Sequence, residues 1–315
     1  MVKDGKVNVS IIIPAKDEEK ILWTTLQVLK RLGHEMIVVL PPDDGGLVIA
    51  KENAIAIVCH GKTKGSAVNT GLLKCKGNVV GIYDADSRPE KNAIEKLVDE
   101  ITRSDVSYGR IKIHETGLVE RIGSIEYNYT FLMDGILQKF NIPTLLHGTN
   151  YFIKKELATC SEDKLTEDVD LSLRLIKKGK KVTYISEAVA WQESPSKLSV
   201  LLRQRKRWMR GLAQVLFTHR IPLLTAIAYS FLPVISILIL ITLVLQPVVS
   251  ILLFGLLLFI LSVGQITAKS QIKDVILSPI LVGIYGIVIP ILFFVGFADE
   301  ILNRPVVWFK TPRNG

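Results

Sequence analysis

Two long segments without a charged residue constrain this chain more than any other feature of its sequence. Residues 221–268 and 275–298 contain no Asp, Glu, Lys or Arg. A helix of about 20 apolar residues crosses a hydrocarbon core of roughly 30 Å, so the first segment is long enough for two membrane spans and the second for one. We predict spans at about 221–244, 248–267 and 275–298, with a break at Gln246-Pro247. Buried core helices are the alternative interpretation, which charge-free segments of this length disfavour.

The polar part of the chain carries the features of a cytoplasmic domain. Residues 1–10 are polar and contain no apolar signal-peptide core. Cys59, Cys75 and Cys160 show no metal-ligand spacing, which fits small buried thiols kept reduced in the cytoplasm. We therefore expect a multi-pass protein of the cell membrane whose polar domain is cytoplasmic.

Positive charge is concentrated just before the first apolar segment. The net charge is +9, and the basic cluster comprises Arg203, Arg205, Lys206, Arg207 and Arg210. A basic cluster beside a membrane segment indicates anchoring on the cytoplasmic side and attraction to anionic lipid head groups. No recognised nucleic-acid motif accompanies it, so membrane lipids are the expected partner and nucleic acid is not.

Before the apolar segments, strand-like and helix-like stretches alternate. Apolar strands are predicted at 9–13, 36–40, 54–58 and 79–83, and helices at 17–32, 66–74 and 87–102, the first capped by Asp17 and ended by Gly33. A helix at 168–178 ending at Gly179, a strand at 181–186 and an amphipathic helix at 195–218 follow. This alternation is typical of an α/β domain with a mostly parallel, doubly wound sheet.

Two carboxylates follow one of the buried strands. Residues 78–83 run directly into Asp84-Ala85-Asp86. In open α/β sheets, ligands bind at the carboxyl ends of the strands, and one or two carboxylates with phosphate oxygens are a usual set of ligands for a divalent cation. The pattern favours a metal–nucleotide site, although a solvated turn would leave the same short sequence.

Three motifs stand in a fixed order along the chain: Asp84-Ala85-Asp86, Thr166-Glu167-Asp168, and Gln204-Arg205-Lys206-Arg207-Trp208 directly before the apolar segments. This set resembles the D-x-D, T-E-D and Q-x-x-R-W motifs of the family 2 glycosyltransferases with the GT-A fold, including the membrane-embedded cellulose, chitin and hyaluronan synthases. The resemblance covers essentially the whole chain. It implies a Rossmann-like catalytic domain at 1–193, an amphipathic interface helix at 194–219, a transmembrane region at 220–302 and a basic tail at 303–315.

The resemblance also implies roles for particular residues. The base that removes a proton from the acceptor hydroxyl would be Asp168, and Asp86 with Asp84 would hold Mn²⁺ or Mg²⁺. The acceptor would contact Trp208, Glu167, His147 and Gly148. The nucleotide-sugar donor would contact Pro14, Ala15, Asp17, Glu18, Asp43, Asp44, Lys64, Asp84, Asp86, Gln204 and Arg207. Asp17 stands where the family has Asn, and the sequence leaves open which of Asp43 and Asp44 meets the nucleoside.

The implied activity is the inverting, metal-dependent transfer of a sugar from a nucleotide sugar, expected to be a UDP-sugar, to a saccharide or lipid-linked acceptor at the membrane. Processive polysaccharide synthesis is one form of it, and an oligomer or a partner subunit is left open. A polyprenyl- or dolichol-phosphate sugar synthase is the alternative, which the Gln204 to Trp208 motif disfavours. A membrane transporter or a nucleotide-sugar sensor without catalysis is more remote, because the apolar segments contain no ionisable residue for a transport path.

Overall fold

The computed structural model describes residues 7–268, 274, 277 and 284–304. The first part of the predicted third span, residues 275–283 except 277, lies outside the described residues. The tail from residue 305 lies outside them as well.

Eight strands form one mixed sheet. In chain order they are β1 (Val9–Pro14), β2 (Glu35–Leu40), β3 (Ile55–Val58), β4 (Val79–Ile82), β5 (Arg88–Pro89), β6 (Val106–Ile113), β7 (Tyr151–Lys154) and β8 (Val182–Gln192). Their order across the sheet is β3-β2-β1-β4-β7-β6-β8-β5. The first four are parallel, as the sequence predicted, whereas β7 runs antiparallel to both β4 and β6.

The helices lie on both faces of the sheet and continue beyond it. They are α1 (Glu19–Lys30), α2 (Gly46–Asn53), α3 (Lys64–Leu72), α4 (Ala93–Ile101), α5 (Leu118–Lys139), α6 (Glu167–Lys177), α7 (Leu198–Thr218), α8 (Leu223–Leu245), α9 (Pro247–Ala268) and α10 (Ile289–Ile301), the last preceded by a π-helical turn at Ile284–Val288. The side chains of successive β1 residues lie on opposite faces of the sheet. Ile12 packs with residues of α3 and β7, whereas Ile11 and Ile13 pack with residues of α1. Burial on both faces explains why this strand has no polar alternation.

The structure corrects several sequence-based boundaries. The helix predicted at 87–102 begins only at Ala93, because Arg88 and Pro89 instead pair with the end of β8. Asp17 does not cap α1: it has a φ of 51°, and the residue before the helix is Glu18. Strand β8 continues six residues beyond the predicted end at 186, which carries it to the edge of the sheet where Asp84 and Asp86 lie.

Helices α8 and α9 form an antiparallel hairpin that packs on α5 and α7. The contact is apolar and includes Ile125, Leu201, Ile239 and Leu261. Other faces of the hairpin expose large apolar side chains, such as Ile251 and Phe259. Within the described part of the chain, one helix segment, Pro247–Thr267, is long and apolar enough to cross a membrane, and Val234–Leu245 is a shorter apolar stretch. The three-span arrangement and the domain boundaries stay predictions.

Candidate active site

One cavity of about 940 Å³ opens at the carboxyl ends of β1 and β4, between the sheet and helix α7. It collects most of the residues that the sequence singled out. These are Pro14, Ala15, Glu18, Lys64, Asp84, Asp86, His147, Gly148, Glu167, Asp168, Gln204, Arg207 and Trp208. Residues more than 190 positions apart in the chain thus share one site.

Asp84 and Asp86 are joined by the side chain of Gln192. The amide Nε2 of Gln192 donates to Asp84 Oδ2 at 3.1 Å and to Asp86 Oδ1 at 3.3 Å. Asp86 is fully buried, and its Oδ2 also accepts from the backbone N–H of Glu193 at 3.2 Å. A single amide group reaches both carboxylates, so their oxygens face the same small volume.

Lys64, the first residue of α3, lies at the centre of the acidic groups. Its Nζ is 2.5 Å from Asp84 Oδ1 and 3.6 Å from Glu167 Oε1, and it donates to the carbonyl of Gly148 at 2.7 Å. Burial opposes the ammonium charge, but Asp84, Glu167 and Asp168 outweigh it and raise the pKa of Lys64. The lysine therefore stays charged and links the D-x-D and T-E-D motifs.

Glu167 and Asp168 occupy the first turn of α6, and Thr166 is the residue before it. Burial raises the pKa of Glu167 to about 7, against the opposing charge of Lys64. Burial also raises the pKa of Asp168, while Lys64 and His147 oppose the rise. The pKa values of two adjacent carboxyl groups thus lie above those of the same groups in water, as in many sites of acid–base catalysis.

Helix α7 presents Gln204, Arg207 and Trp208 to the cavity from one face, as their spacing predicted. The Nε of Arg207 is buried and has no hydrogen-bond partner among the described residues. Arg205 also lines the cavity and holds the motif in place: its Nη2 lies 2.6 Å from Glu126 on α5, and its guanidinium lies 4.0 Å from the centre of the Trp208 ring. The motif therefore places one unsatisfied guanidinium nitrogen beside the acidic groups.

The basic cluster before the apolar segments is only partly available to lipid. Arg205 is 3% exposed and paired with Glu126, and Arg210 pairs with Glu300 on α10 at 2.7 Å. Arg203 and Lys206 are the exposed members. Two arginines of the cluster thus form ion pairs with α5 and α10, which sequence reasoning did not bring near α7. Attraction of the cluster to anionic lipid stays a prediction.

His147 and Gly148 form the wall beside Asp168. A Cβ on Gly148 would lie 3.4 Å from Asp168 Oδ2 and from Lys64 Nζ, and Gly148 has a φ of +79°. His147 Nε2 lies 2.8 Å from the fully buried Asp134, which also accepts from the hydroxyl of Tyr229. A glycine at 148 keeps the space next to Asp168 open.

Three predicted donor contacts lie off the cavity. Asp44 is buried and accepts from the backbone N–H of Asp17 at 2.7 Å and from that of Gly46 at 2.9 Å. Its carboxylate thereby ties the turn after β1 to the turn after β2. Asp43 and Asp17 are exposed. The geometry gives Asp44 a backbone-bracing position and leaves a direct nucleoside contact by Asp43 or Asp17 as a prediction.

Sequence reasoning missed Gln192, Glu126 and Tyr229, all of which line the cavity. Gln192 ends an apolar strand at the same sheet edge as Asp84, which was a readable signal once the strand's length was known. Tyr229 lies in the charge-free segment 221–268, which the sequence assigned to the membrane and not to the site. Glu126 lies in a helix whose pattern the sequence did not reveal.

The residues present suit a divalent cation that is shared with a phosphate ligand. No group of three or more His, Cys, Asp or Glu able to hold a metal occurs in the described residues. The carboxylates of Asp84 and Asp86 supply hard oxygen ligands on one side only, the ligand type that Mg²⁺ and Mn²⁺ prefer. Oxygens of a bound diphosphate would complete the coordination.

The mixed α/β sheet and the three motifs around the cavity are those of a GT-A fold. A model of the family "Glycosyl transferase family group 2" matches residues 79–266, and the chain belongs to this family.

Similar proteins agree with this assignment. A probable glycosyltransferase, YdaM, of Bacillus subtilis (strain 168) is 31% identical over 229 residues, which cover 64% of this chain and 54% of that protein. Poly-beta-1,6-N-acetyl-D-glucosamine synthase of Staphylococcus aureus (strain COL) is 24% identical over 68% of this chain and 56% of its own length. The chain thus spans only about half the length of these relatives.

A solved structure with the same fold is that of a mannosyltransferase from Pyrobaculum calidifontis in complex with GDP-Man and Mn²⁺. It superposes with a TM-score of 0.62 over 96% of this chain and 89% of that chain, at 13% sequence identity. The likeness confirms the mixed α/β sheet of the GT-A fold.

Proposed function

We propose that this chain is an inverting, metal-dependent glycosyltransferase that moves a sugar from a nucleotide diphosphate sugar to a saccharide acceptor at the membrane surface. The observation that supports this most is the meeting of three separate motifs around one cavity, with Lys64 between two of them. UDP-sugars and GDP-sugars are the donor candidates.

The donor diphosphate is proposed to lie between Asp84, Asp86 and Arg207. The two carboxylates would hold Mn²⁺ or Mg²⁺, which neutralises negative charge on the leaving diphosphate when bound. The buried Nε of Arg207 lacks a partner within the described part of the chain, and a phosphate oxygen would satisfy it. Pro14, Ala15 and Glu18 line the same cavity and are proposed to contact the nucleoside side of the donor.

Asp168 is proposed as the general base. It would take the proton of the acceptor hydroxyl while that oxygen attacks the anomeric carbon opposite the diphosphate. The bond from the anomeric carbon to the diphosphate oxygen breaks, and its electron pair leaves with the diphosphate, so the configuration inverts. A pKa raised by burial brings Asp168 closer to the range in which a base works well near neutral pH.

The acceptor is proposed to enter beside His147, Gly148, Glu167 and Trp208, on the side of the cavity away from β1. Met209 and Leu212 of α7 and Tyr229 of α8 line the cavity as well. These apolar neighbours favour a second candidate, a sugar or phosphate acceptor carried on a lipid such as a polyprenyl chain. The hairpin α8–α9 and its exposed apolar faces support action at a membrane, where lipids would be the surrounding partner.

The test of the transfer step is the release of nucleoside diphosphate by the purified full chain in detergent micelles. UDP- and GDP-sugars are supplied with Mn²⁺, Mg²⁺ or EDTA, together with saccharide or polyprenyl phosphate acceptors. Asp168→Asn should leave donor affinity within about threefold and reduce transfer at least about 100-fold, since it removes the base. Asp163→Asn is the matched control, because Asp163 is 74% exposed and lies outside the cavity lining. A wild-type transfer rate in Asp168→Asn would refute the assignment of the base.

The metal site has a separate test. Asp86→Ala should abolish the dependence of donor binding on Mn²⁺, because it removes the buried carboxylate that faces the site. Titration calorimetry with UDP and GDP, each with and without Mn²⁺, measures this directly. Metal-dependent binding that persists in Asp86→Ala would contradict the proposed ligand set.

A further inference from the structure

Helix α7 is wedged between the start of α6 and helix α10. A Cβ added to Gly211 would lie 2.5 Å from Cγ2 and 3.0 Å from the backbone nitrogen of Thr166. On its other side, a Cβ added to Gly296 of α10 would lie 2.7 Å from Cα of Arg210. Both contacts are tighter than an alanine allows, so the three elements pack against one another with no room for a methyl group.

The side chain of Gln214 bridges the two neighbours of α7. Its Oε1 accepts from the backbone N–H of Leu165 at 3.0 Å, and its Nε2 donates to Oε1 of Glu300 at 3.2 Å. Leu165 directly precedes Thr166, Glu167 and Asp168, and Glu300 lies in the last turn of α10. Gln214 is 6% exposed, so water cannot readily replace either bond.

The chemistry of this bridge depends on an amide at position 214. The side chain at position 214 must accept a hydrogen bond from the N–H of Leu165 and donate one to the carboxylate of Glu300. Among side chains of this length, only an amide has both an acceptor and a donor. Glu300 also accepts from Nε of Arg210 at 2.7 Å, so its carboxylate is charged and held in place. The residues of α10 that point away from α7, such as Ile291 and Phe294, are exposed and apolar.

We propose that Gln214 is a positioning residue that couples the apolar helix α10 to the turn carrying Asp168. The inference rests on the proposed function, in which Asp168 must reach the acceptor hydroxyl. A displacement of about 1 Å in such a group can lower a rate by about 100-fold. Helix α10 thus contributes to the rate through Glu300 and Gln214 without touching either substrate.

The test is a charge exchange across the bridge. Gln214→Glu keeps an acceptor for the N–H of Leu165 but sets a second carboxylate against Glu300, so kcat should fall about 10- to 100-fold with the KM of the donor unchanged. Adding Glu300→Gln restores one donor and one acceptor between the two side chains, and kcat should return to within about threefold of wild type. Gln214→Met, which has a similar shape and no charge, should lower kcat by about the same factor as Gln214→Glu.

Gln27→Glu is the matched control. Gln27 on α1 also donates through Nε2 to a side-chain oxygen, Oδ1 of Asn53 at 3.0 Å, and does not line the cavity. Its kcat should equal that of wild type.

The outcomes separate two failures. If wild type releases no nucleoside diphosphate from any UDP- or GDP-sugar, the proposed function fails. If wild type is active and Gln214→Glu and Gln214→Met keep the wild-type kcat, the coupling is overturned. It is also overturned if Glu300→Gln fails to rescue Gln214→Glu while all variants unfold at the wild-type temperature. Should Gln214→Glu fail to fold, Gln214→Met alone decides between the wild-type kcat and the predicted loss.

Discussion

Replacing Lys64 with Met should move the pH dependence of the reaction toward alkaline pH. Lys64 Nζ lies 3.6 Å from Glu167 and lowers the pKa of both Glu167 and Asp168 against the effect of their burial. Without the cation, both carboxyl groups hold their protons to higher pH. The proposed base, Asp168, would then need a higher pH to lose its proton and become active.

The size of the effect follows from the geometry. Two unit charges 3.6 Å apart interact by about 4 to 5 kcal/mol at an effective dielectric constant of about 20, or about 3 pKa units as an upper limit. Opposite charges at such distances commonly shift a pKa by about 1 to 3 units. The 3.6 Å distance is to Glu167, but Lys64 also lowers the pKa of the neighbouring Asp168, the proposed base. We therefore take the lower end of this range and expect the acid limb of kcat in Lys64→Met to lie about one pH unit above that of wild type.

The assay is nucleoside diphosphate release at saturating donor, measured from about pH 5 to about pH 10 for wild type, Lys64→Met and Lys64→Arg. Lys64→Arg keeps the charge and should keep the acid limb in place. A Lys64→Met enzyme that loses the same factor in kcat at every pH would refute this reasoning, because the lysine would then act on something other than the protonation of the carboxyl groups.

Three further outcomes are expected. The pKa of Glu167 is about 7 in the folded protein and 4.5 as its ordinary value, which applies to the unfolded chain. The free energy of unfolding therefore falls as the pH rises from 4.5 to about 7, and Glu167 has no such effect below pH 4.5. Glu167→Gln should therefore raise the free energy of unfolding by up to about 3 kcal/mol at alkaline pH, and equal stabilisation in acid would contradict this. Gly211→Ala should cost about 1 to 3 kcal/mol of stability and lower kcat, as measured by thermal unfolding and product release, since its methyl meets Thr166. His147→Ala should weaken saccharide use relative to donor hydrolysis by water, and an unchanged ratio of the two rates would exclude an acceptor contact.

The parallel half of the sheet could be predicted because its strands are short apolar runs separated by helices, as in residues 9–14 and 35–40. The antiparallel strand β7 could not, since four residues carry little pattern and its place depends on packing. Phe152 of β7 lies where a Cβ on Gly81 of β4 would sit, a pairing between residues far apart in the chain.

The same limit applies to the site. Asp86, Asp168 and Arg207 could be singled out because they belong to short motifs that resemble those of a known family, and the structure brings them to one cavity. Their roles stay predictions. Their supports could not be singled out: Gln192 and Glu126 reach the motifs from elements that only the folded chain brings near. Helix α5 itself has buried polar residues such as Asn128 and Asp134, which obscure an amphipathic pattern.

The contacts at the ends of α9 and α10 bear on whether the chain crosses a membrane an even or an odd number of times. Gln265, near the end of α9, accepts from Asn128 of α5 at 2.8 Å, and Arg304, just after α10, has its carbonyl bound by Arg210 of α7 at 2.5 Å. Both points lie against helices that line the cavity, α5 and α7. For a protein held at a membrane by these helices, the two contacts imply an even number of crossings between residue 223 and residue 304, whereas the prediction from the sequence has three. Arg304, at the start of the basic tail, then lies on the same side of the membrane as Arg203, an arrangement that the usual distribution of positive charge around membrane spans favours.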